Sequence, residues 1–317
     1  MKAAVIREFG DAAVLKLEDV PTPKPRPGHV LVKVLAAGVN RLDHYIREGS
    51  IVAELAFPHI LGADAAGEVA ELGAGVTEFA IGERVIVVPG YPTDDAEINH
   101  RPTATAPSFV LPGLAIAGTY AQYIEVPARA AVRDETGLAA EQAATLPVVL
   151  ATAVHAVKTV GGVVTGDKVL VHAGASGSGS MLIQVAKALG AEVATTVRDD
   201  AKAEFAKQAG ADLVVDTRTE DIVERVKAWT GGRGADVVID NMGGDVLAKS
   251  IEAVKALASS LLSGSPPGRK SASISAACSS PRSGSRARWR AISKTSNGAS
   301  NGSRPARSDR CSTAPCH

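Results

Sequence analysis

The chain has 317 residues, of which 45% are hydrophobic and 3% aromatic, and its formal net charge is zero. This length suffices for about two domains, and a zero charge excludes a strongly basic nucleic-acid binder and an acidic solvating chain. The zero is the sum of two unlike parts, because the body up to Leu257 carries 24 basic and 33 acidic residues and the tail from Ala258 carries 10 and one.

The body has the composition of an ordinary water-soluble protein. Its first residues lack the apolar run of a secretory signal, and no stretch reaches the length of a membrane span, about 18 apolar residues. All three cysteines lie in the tail, which excludes a disulfide scaffold and any cysteine-based metal site in the body. We therefore expect a cytoplasmic protein with a small-molecule partner, and no membrane or nucleic acid as a partner.

Residues 1–133 predict a β-rich first domain. Short β-prone runs are separated by glycines and prolines, at 3–6, 15–20, 30–35, 68–72, 84–88 and 120–127. Between the last two runs, residues 89–118 are rich in Pro and Thr and show little periodicity. That stretch predicts a long loop or lobe.

Residues 134–257 predict a second domain in which strands and helices alternate. A helical segment at 141–160, interrupted by Pro147, comes first. Four pairs of a strand and a helix follow, at 168–172 and 178–189, 192–196 and 201–208, 212–216 and 222–229, and 236–240 and 246–256. Parallel neighbours in a sheet need a crossover connection, which this order supplies. The prediction is an α/β protein whose second domain is an open, doubly wound parallel sheet.

A glycine-rich turn joins the first of these strands to its helix. Glycine lets the backbone approach a pyrophosphate closely, and the helix N-terminus offers free N–H groups to the phosphates. Such a turn alone is weak evidence and is often only a turn, but here the strand, turn, helix and second strand occur in order. The pattern predicts a dinucleotide site that includes Gly174, Ser176, Gly177, Ser178 and Gly179.

The end of the second strand indicates which dinucleotide binds. A site that prefers NAD carries an acidic residue about 20 positions after the first glycine. This chain has Thr196 at that distance, followed by Arg198 and Lys202. A hydroxyl and two cations suit a 2′-phosphate, so we expect NADP(H). The alternative is a solvated helix start, which Asp199 and Asp200 fit.

Further motifs give the body a family resemblance. They lie at 36–49, 60–69, 82–85, 118–123 and 238–244. Together with the glycine turn, they resemble the medium-chain dehydrogenase/reductase superfamily, particularly its quinone-oxidoreductase-like and zinc-alcohol-dehydrogenase-like branches. The resemblance implies a GroES-like catalytic domain before a Rossmann domain, a homodimer, and a nicotinamide flanked by Thr152, Asn241 and Gly243.

Departures from the zinc branch bear on the chemistry that the resemblance implies. Zinc members carry a cysteine where this chain has Asn40, a His-Glu pair where it has Ala63 and Asp64, and a third ligand near Val148. The lobe at 89–118 also lacks the four cysteines of their structural zinc. A tetrahedral zinc site needs such thiolates and imidazoles, so we expect no metal.

Without zinc, the resemblance implies hydride transfer from NADPH to a quinone or an α,β-unsaturated carbonyl compound, with a hydrogen-bond donor at the developing enolate oxygen. Asn40, Asp43 and Tyr45 match the family's pocket wall, and the Asn40 amide and the Tyr45 hydroxyl are the candidate donors. Alternatively, Asn40 caps a helix and Tyr45 belongs to the core. Two other functions stay open, an alcohol dehydrogenase and a nucleotide-binding protein without catalysis.

The tail at 258–317 is rich in Ser and Arg, has low complexity and predicts disorder, with a basic partner-binding segment as one interpretation. A frameshift is our preferred hypothesis, because a neighbouring reading frame permits a strand, a turn and an acidic amphipathic helix that resemble the family's C-terminus. The Rossmann sheet is then truncated at its last strands, which compromises the homodimer and leaves a poorly folded or inactive truncated product as an alternative to a working reductase.

The frameshift hypothesis places the change of frame near codon 257. We expect the nucleotide sequence around that codon to recover the family's pattern when one base is added or removed. Resequencing that leaves the frame unchanged, together with the same frame in relatives of this gene, would contradict the hypothesis. A cooperative thermal transition that shifts upward with NADPH would contradict the expectation of poor folding.

Overall fold

The computed structural model describes residues 1–52, 54–262, 275–279 and 288–292. Up to residue 133 the chain is mainly β-structure, with one short helix α1 (Arg41–Arg47) and 3-10 turns at Ala12–Val14, Asp95–Glu97, Thr103–Thr105 and Ala128–Ala130. The strands are β1 (Lys2–Ile6), β2 (Lys16–Asp19), β3 (His29–Gly38), β4 (His59–Ile60), β5 (Asp64–Leu72), β6 (Arg84–Val87), β7 (Tyr91–Pro92), β8 (Phe109–Val110), β9 (Tyr123–Pro127) and β10 (Ala131–Arg133).

A five-stranded antiparallel sheet organises this first part, in the order β10-β6-β5-β3-β9. Alternate residues of its strands face one core, which includes Val30, Val32, Val69, Val85 and Val126. Burying each such side chain contributes about 1.5–3 kcal/mol relative to leaving it exposed. A smaller sheet, β2-β1-β4, packs its own core around Ile6, and β7 and β8 form a two-stranded ribbon within the predicted lobe.

The pairing of β3 with β5 positions the residues that follow. Two register shifts interrupt the ladder, and it ends with Gly38 opposite Asp64. A side chain at Gly38 would collide with the Asp64 side chain and with the carbonyl of Ala144, so the backbone comes unusually close there. This close approach brings the start of α1, immediately after Gly38, next to the first residue of β5.

The second part begins with the helices α2 (Ala140–Ala143) and α3 (Pro147–Val154), and α3 continues as a π-helical turn at His155–Val160. The predicted alternation then follows, as β11 (Lys168–Val171), α4 (Gly177–Ala188), β12 (Glu192–Val197), α5 (Asp200–Gln208), β13 (Leu213–Asp216), α6 (Ile222–Trp229), β14 (Ala235–Asp240), α7 (Asp245–Ala253) and β15 (Val254–Leu262). Their sheet has the order β13-β12-β11-β14-β15, and every pair in it is parallel. The predicted doubly wound parallel sheet is confirmed.

Apolar runs explain why the central strands are buried on both faces. Val169 and Val171 face a core that α4 completes, whereas Leu170 between them faces a core that α6 completes. Parallel strands covered by helices on both sides therefore read as continuous Val, Ile and Leu runs rather than as an alternation. In the order of this sheet, the connection reverses between β11 and β14, which places the ligand crevice at the carboxyl ends of those strands.

The end of the described chain differs from the sequence-based expectation. The last helix ends at Ala253 instead of residue 256, and Val254 begins β15, so the boundary predicted at 257 falls inside a strand. Two short strands, β16 (Ser275–Ser279) and β17 (Arg288–Ile292), pair antiparallel with each other. Across the described ranges the parallel sheet has five strands, and most of the predicted tail lies outside those ranges.

Candidate functional site

A cleft of about 640 Å³ opens at the carboxyl ends of β11 and β12. Four of the predicted cofactor residues line it, namely Ser176, Thr196, Arg198 and Lys202. The lining also includes residues that the sequence did not single out, among them His172, Thr217, Met242, Asp245 and Lys249. A histidine directly after the apolar run of β11 was a usable signal, whereas Lys249 comes from a helix far along the chain.

The glycine turn forms the start of α4. Ser176 is the N-cap residue, and its Oγ accepts a hydrogen bond from the Gly179 N–H at 3.0 Å. Its hydroxyl is therefore used to cap the helix. The N–H groups of Gly177 and Ser178 belong to the first helical turn, where no carbonyl of the helix can pair with them. They are the backbone donors that suit a phosphate.

The three glycines of the turn have different surroundings. A Cβ at Gly174 would collide with Thr195, and a Cβ at Gly179 would collide with the carbonyl of Ala173. These two glycines allow α4 to pack against β11 and β12. A Cβ at Gly177, in contrast, would meet nothing within 4 Å. The backbone at Gly177 thus borders open space that a ligand could enter.

One cation at the cleft is free to meet a ligand. Arg198 is exposed and has no ion pair or side-chain hydrogen bond within the described part of the chain. Lys202 already pairs with Asp199, its Nζ 2.6 Å from Oδ2. Thr196 lies deeper, and its Oγ1 accepts a hydrogen bond from the Ala173 N–H at 3.0 Å. The structure thus brings Thr196, Arg198 and Lys202 together, with the charge of Arg198 the least compensated.

The residues predicted beside the nicotinamide occupy the loop after β14 and the helix α3. Asn241 donates from Nδ2 to Ser178 Oγ at 3.3 Å, and its Oδ1 is buried without a hydrogen-bond partner among the described residues. Buried acceptors are nearly always satisfied, so this one suits a ligand N–H. The Gly243 N–H donates to Asp240 Oδ1 at 2.9 Å, and Thr152 is exposed on α3. These features fit a dinucleotide that extends from the cleft toward α3.

A second polar group joins the two parts of the chain. The Asn40 Nδ2 donates to Asp64 Oδ2 at 2.8 Å, and the Val148 N–H at the start of α3 donates to Asp64 Oδ1, also at 2.8 Å. Asn40 is the N-cap residue of α1, as the alternative expected, but its side-chain amide is directed to Asp64 and its backbone N–H donates to Asp43. Asp64 is nearly fully buried, and burial raises the pKa of its carboxyl.

Asp43 forms hydrogen bonds with the backbone of Asn40 and with Tyr120, next to the contact of Asn40 with Asp64. Its Oδ2 accepts hydrogen bonds from the Asn40 N–H and from the Tyr120 hydroxyl, each at 2.8 Å. Burial raises the pKa of the Asp43 carboxyl, and burial together with the neighbouring Asp43 raises the pKa of Tyr120. Asp43 therefore fixes the start of α1. Tyr45 is half-buried, with its ring 5.6 Å from the His44 ring and no hydroxyl partner in the described ranges.

The residues at the positions where zinc members of the resembled family carry their ligands do not fit zinc. The structure places Asn40, Asp64 and Val148 together, but they supply an amide, a carboxylate and a backbone N–H. Structural and catalytic zinc take mainly thiolates and imidazoles, in a tetrahedral set. Among the described residues, no group of three or more His, Cys, Asp or Glu side chains could hold a metal ion.

Models of two protein families match the chain. An alcohol dehydrogenase GroES-like domain matches residues 26–136, and a zinc-binding dehydrogenase domain matches residues 177–287. The chain is 34% identical to a 2-haloacrylate reductase of a Burkholderia species over 259 residues, which are 80% of this chain and 70% of the relative. It is 31% identical to a probable quinone oxidoreductase of Schizosaccharomyces pombe over 253 residues, 79% of this chain and 67% of that protein.

Solved structures share the fold. An NAD-dependent alcohol dehydrogenase superposes with a TM-score of 0.79 at 35% identity, covering 85% of this chain and 80% of the other. A mycobacterial protein in complex with NADPH superposes with a TM-score of 0.68 at 32% identity, covering 84% of this chain and 74% of the other. The fold and these relatives define an oxidoreductase with a GroES-like domain and a Rossmann-type parallel sheet. The chain belongs to the medium-chain dehydrogenase/reductase superfamily.

The raised pKa values of Asp43 and Asp64 predict a pH dependence of stability. A carboxyl whose pKa is raised by folding binds its proton more tightly in the folded chain than in the unfolded chain. Its contribution to the free energy of unfolding is therefore lost as the pH rises from the ordinary pKa of 3.8 through the raised pKa of the folded chain. We expect Asp43→Asn, measured by urea unfolding from about pH 4 to about pH 7, to gain stability relative to the wild type as pH rises. Exposed Glu8→Gln is the control, because Glu8 has no ion pair or side-chain hydrogen bond among the described residues, and a pH-independent difference for Asp43→Asn would contradict the prediction.

Proposed function

We propose that the chain is an NADP(H)-dependent, zinc-independent reductase of quinones or α,β-unsaturated carbonyl compounds. The observation that carries the proposal is the contact of Asn40 with Asp64 and of Asp64 with Val148. These contacts orient the Asn40 amide at the position where zinc members of the superfamily carry a metal ligand. An amide N–H stabilises an oxygen that gains negative charge, but it does not acidify an alcohol as a metal does.

The proposed residues act on the substrate oxygen. A bound reduced nicotinamide would supply the hydride that the β-carbon takes up, and the carbonyl oxygen of the substrate would then carry the negative charge of an enolate. Asp64 accepts one hydrogen of the Asn40 amide and leaves the other for that oxygen. The Tyr45 hydroxyl is the second candidate donor. Water then supplies the proton that the α-carbon takes up.

Two relatives support the substrate class. One is named a 2-haloacrylate reductase, and a 2-haloacrylate carries a carbon–carbon double bond conjugated to a carboxylate. The other is named a probable quinone oxidoreductase, and a quinone is likewise a conjugated carbonyl compound. Both names refer to a substrate with a conjugated carbonyl or carboxylate group, and an oxyanion donor without a metal can support reduction of such a substrate.

The exposed guanidinium of Arg198 supports NADP(H) over NAD(H). A 2′-phosphate accepts charge-assisted hydrogen bonds, and an arginine without an internal partner can supply them. The solved NADPH complex of a related protein agrees with this choice, whereas another structural relative is named NAD-dependent. Gly174 and Gly179 would shape the turn, and the N–H groups of Gly177 and Ser178 would hold the pyrophosphate.

Location and assembly stay predictions. In the described part of the chain no helix is long and apolar enough to cross a membrane. We propose a cytoplasmic location, a family-like homodimer and no nucleic-acid partner. We also propose that the first domain ends at residue 133 and the second at residue 257.

Substitution of the candidate donors tests the proposed reaction. We expect the wild type to oxidise NADPH with 1,4-benzoquinone or 2-chloroacrylate, and a metal chelator to leave the rate unchanged. Loss of one oxyanion donor lowers kcat by on the order of a hundredfold, so Asn40→Ala or Tyr45→Phe should show which side chain donates. The exposed Asn99→Ala is the matched control for Asn40. Alcohol oxidation that is lost on chelation would contradict the proposal.

Substitution of Arg198 tests the cofactor preference. A hydrogen bond to a charged group contributes about 1.5–3 kcal/mol, so Arg198→Ala should raise the Kd for NADPH about tenfold or more and leave the Kd for NADH nearly unchanged. Arg218→Ala is the matched control, because Arg218 already pairs with Asp200 and Asp216. Fluorescence titration of both dinucleotides measures the effect. An equal loss for NADPH and NADH would overturn the assignment of Arg198 to the 2′-phosphate.

A further inference from the structure

A buried chain of hydrogen bonds runs beneath the cleft. His172 follows β11 and is 1% exposed. Its Nε2 lies 2.9 Å from Ser250 Oγ of α7, and its Nδ1 lies 3.3 Å from Thr196 Oγ1 of β12. Ser250 Oγ donates to Asp240 Oδ2 at 2.8 Å. These hydrogen bonds thus link the end of β14 to Thr196 of β12.

The partners in this chain determine the tautomer of His172. Ser250 Oγ contacts two oxygen acceptors, Asp240 Oδ2 at 2.8 Å and the Val246 carbonyl at 3.0 Å, so its single hydrogen is directed to them and not to His172. Ser250 Oγ must then accept from His172, which places the imidazole hydrogen on Nε2. The bare Nδ1 is an acceptor, and Thr196 donates its hydroxyl hydrogen to it. Each hydrogen bond in this buried series is therefore donated in the direction from Thr196 toward Asp240.

This direction limits what Thr196 can offer a ligand. Its hydroxyl has one hydrogen, which is directed inward to His172, and Oγ1 also accepts from the Ala173 N–H at 3.0 Å. The side chain is 6% exposed and lines the cleft beside Arg198. With neutral His172, Thr196 can present only a lone pair to the cleft. A ribose 2′-hydroxyl can donate to such a lone pair, but a 2′-phosphate cannot.

Protonation of His172 reverses the hydrogen bond to Thr196. The imidazolium carries a hydrogen on each nitrogen, so Nδ1–H donates to Thr196 Oγ1 and Nε2–H still donates to Ser250. The Thr196 hydrogen is then free to turn toward the cleft and donate to a phosphate oxygen. No other bond of the chain has to change, because Ser250 continues to donate to Asp240.

We propose that His172 is a positioning residue for cofactor choice: it sets whether Thr196 accepts from a ribose 2′-hydroxyl or donates to a 2′-phosphate. Binding of NADP(H), unlike binding of NAD(H), therefore draws a proton onto His172. The proposal rests on the proposed function, because it takes the cleft as the site of the adenosine ribose. It adds a residue that acts through Thr196 without touching the cofactor.

The surroundings of His172 allow this coupling. Burial lowers the pKa of His172 while Asp240 raises it, so the imidazole is neutral in the free chain at neutral pH. A bound phosphate dianion adds negative charge on the cleft side and favours the imidazolium. The charge of Arg198 opposes protonation of His172, and the charge of Asp245 favours it. Lys202 and Lys249 have less effect, because they are paired with Asp199 and Asp221.

Proton uptake on binding is the direct test. Titration calorimetry of the full chain with NADP⁺ and with NAD⁺, near pH 7 in two buffers of different ionisation enthalpy, counts the protons taken up. We expect an uptake approaching one proton with NADP⁺ and none with NAD⁺. The 2′-phosphate itself would release protons when it binds beside Arg198, so the sign of the count separates the two sources. Binding of NADP⁺ without uptake overturns the proposal.

Two threonine variants provide matched controls. Thr196→Val should abolish the proton uptake, because no hydroxyl remains to connect His172 with the phosphate. Thr217→Val should retain it, because the Thr217 hydroxyl in the same cleft donates to the Val197 carbonyl and has no contact with His172. Equal proton uptake in wild type, Thr196→Val and Thr217→Val would also overturn the proposal.

Nitrogen NMR of the wild-type chain supplies a readout that needs no variant to fold and no turnover. With ¹⁵N-labelled histidine, the free chain should show His172 protonated at Nε2 and bare at Nδ1, and NADP⁺ should protonate Nδ1. Sequential resonance assignment of the labelled wild type identifies the His172 signals. A free chain with the hydrogen on Nδ1 overturns the proposal while leaving the proposed function intact. A chain that binds neither dinucleotide overturns the proposed function, and this proposal with it.

Discussion

The buried carboxylate of Asp64 joins the two parts of this chain at the point where the proposed chemistry takes place. It accepts from the Asn40 amide on one side and from the first turn of α3 on the other. A buried carboxyl is costly unless it is hydrogen-bonded, and the partial positive charge of a helix N-terminus reduces that cost. Because both of its oxygens are used, Asp64 fixes the direction of the amide and the position of α3 together.

On the proposed dinucleotide side, most polar groups are also hydrogen-bonded or ion-paired within the protein. Few polar groups there remain available to a ligand. Ser176 caps α4, Lys202 pairs with Asp199, and Thr196 is engaged by its neighbours. The groups left over are the guanidinium of Arg198 and the Asn241 Oδ1, together with the N–H groups that begin α4. Recognition of the proposed dinucleotide would therefore depend on a small number of atoms.

The features that could be predicted from the sequence are those that depend on a local pattern of residues. The alternation after residue 134 and the turn at Gly174 to Gly179 depend on neighbouring residues, so the parallel sheet and the start of α4 were predictable. The contacts of Asp64 with Val148 and of His172 with Ser250 join residues 84 and 78 positions apart. Nothing in the local pattern selects those partners. The end of α7 was also missed, because Val254 and its neighbours continue the helical composition yet pair with β14.

The turn before α4 distinguishes two reasons for a glycine. At Gly174 and Gly179 the protein's own atoms exclude a side chain, whereas at Gly177 they leave room for one. The folded chain on its own would accept alanine at Gly177, since the first turn of a helix tolerates it. Any intolerance of a side chain there would have to come from a molecule that occupies the space beside it. Position 177 is thus a place where the free protein and its complex would rank the same substitution differently.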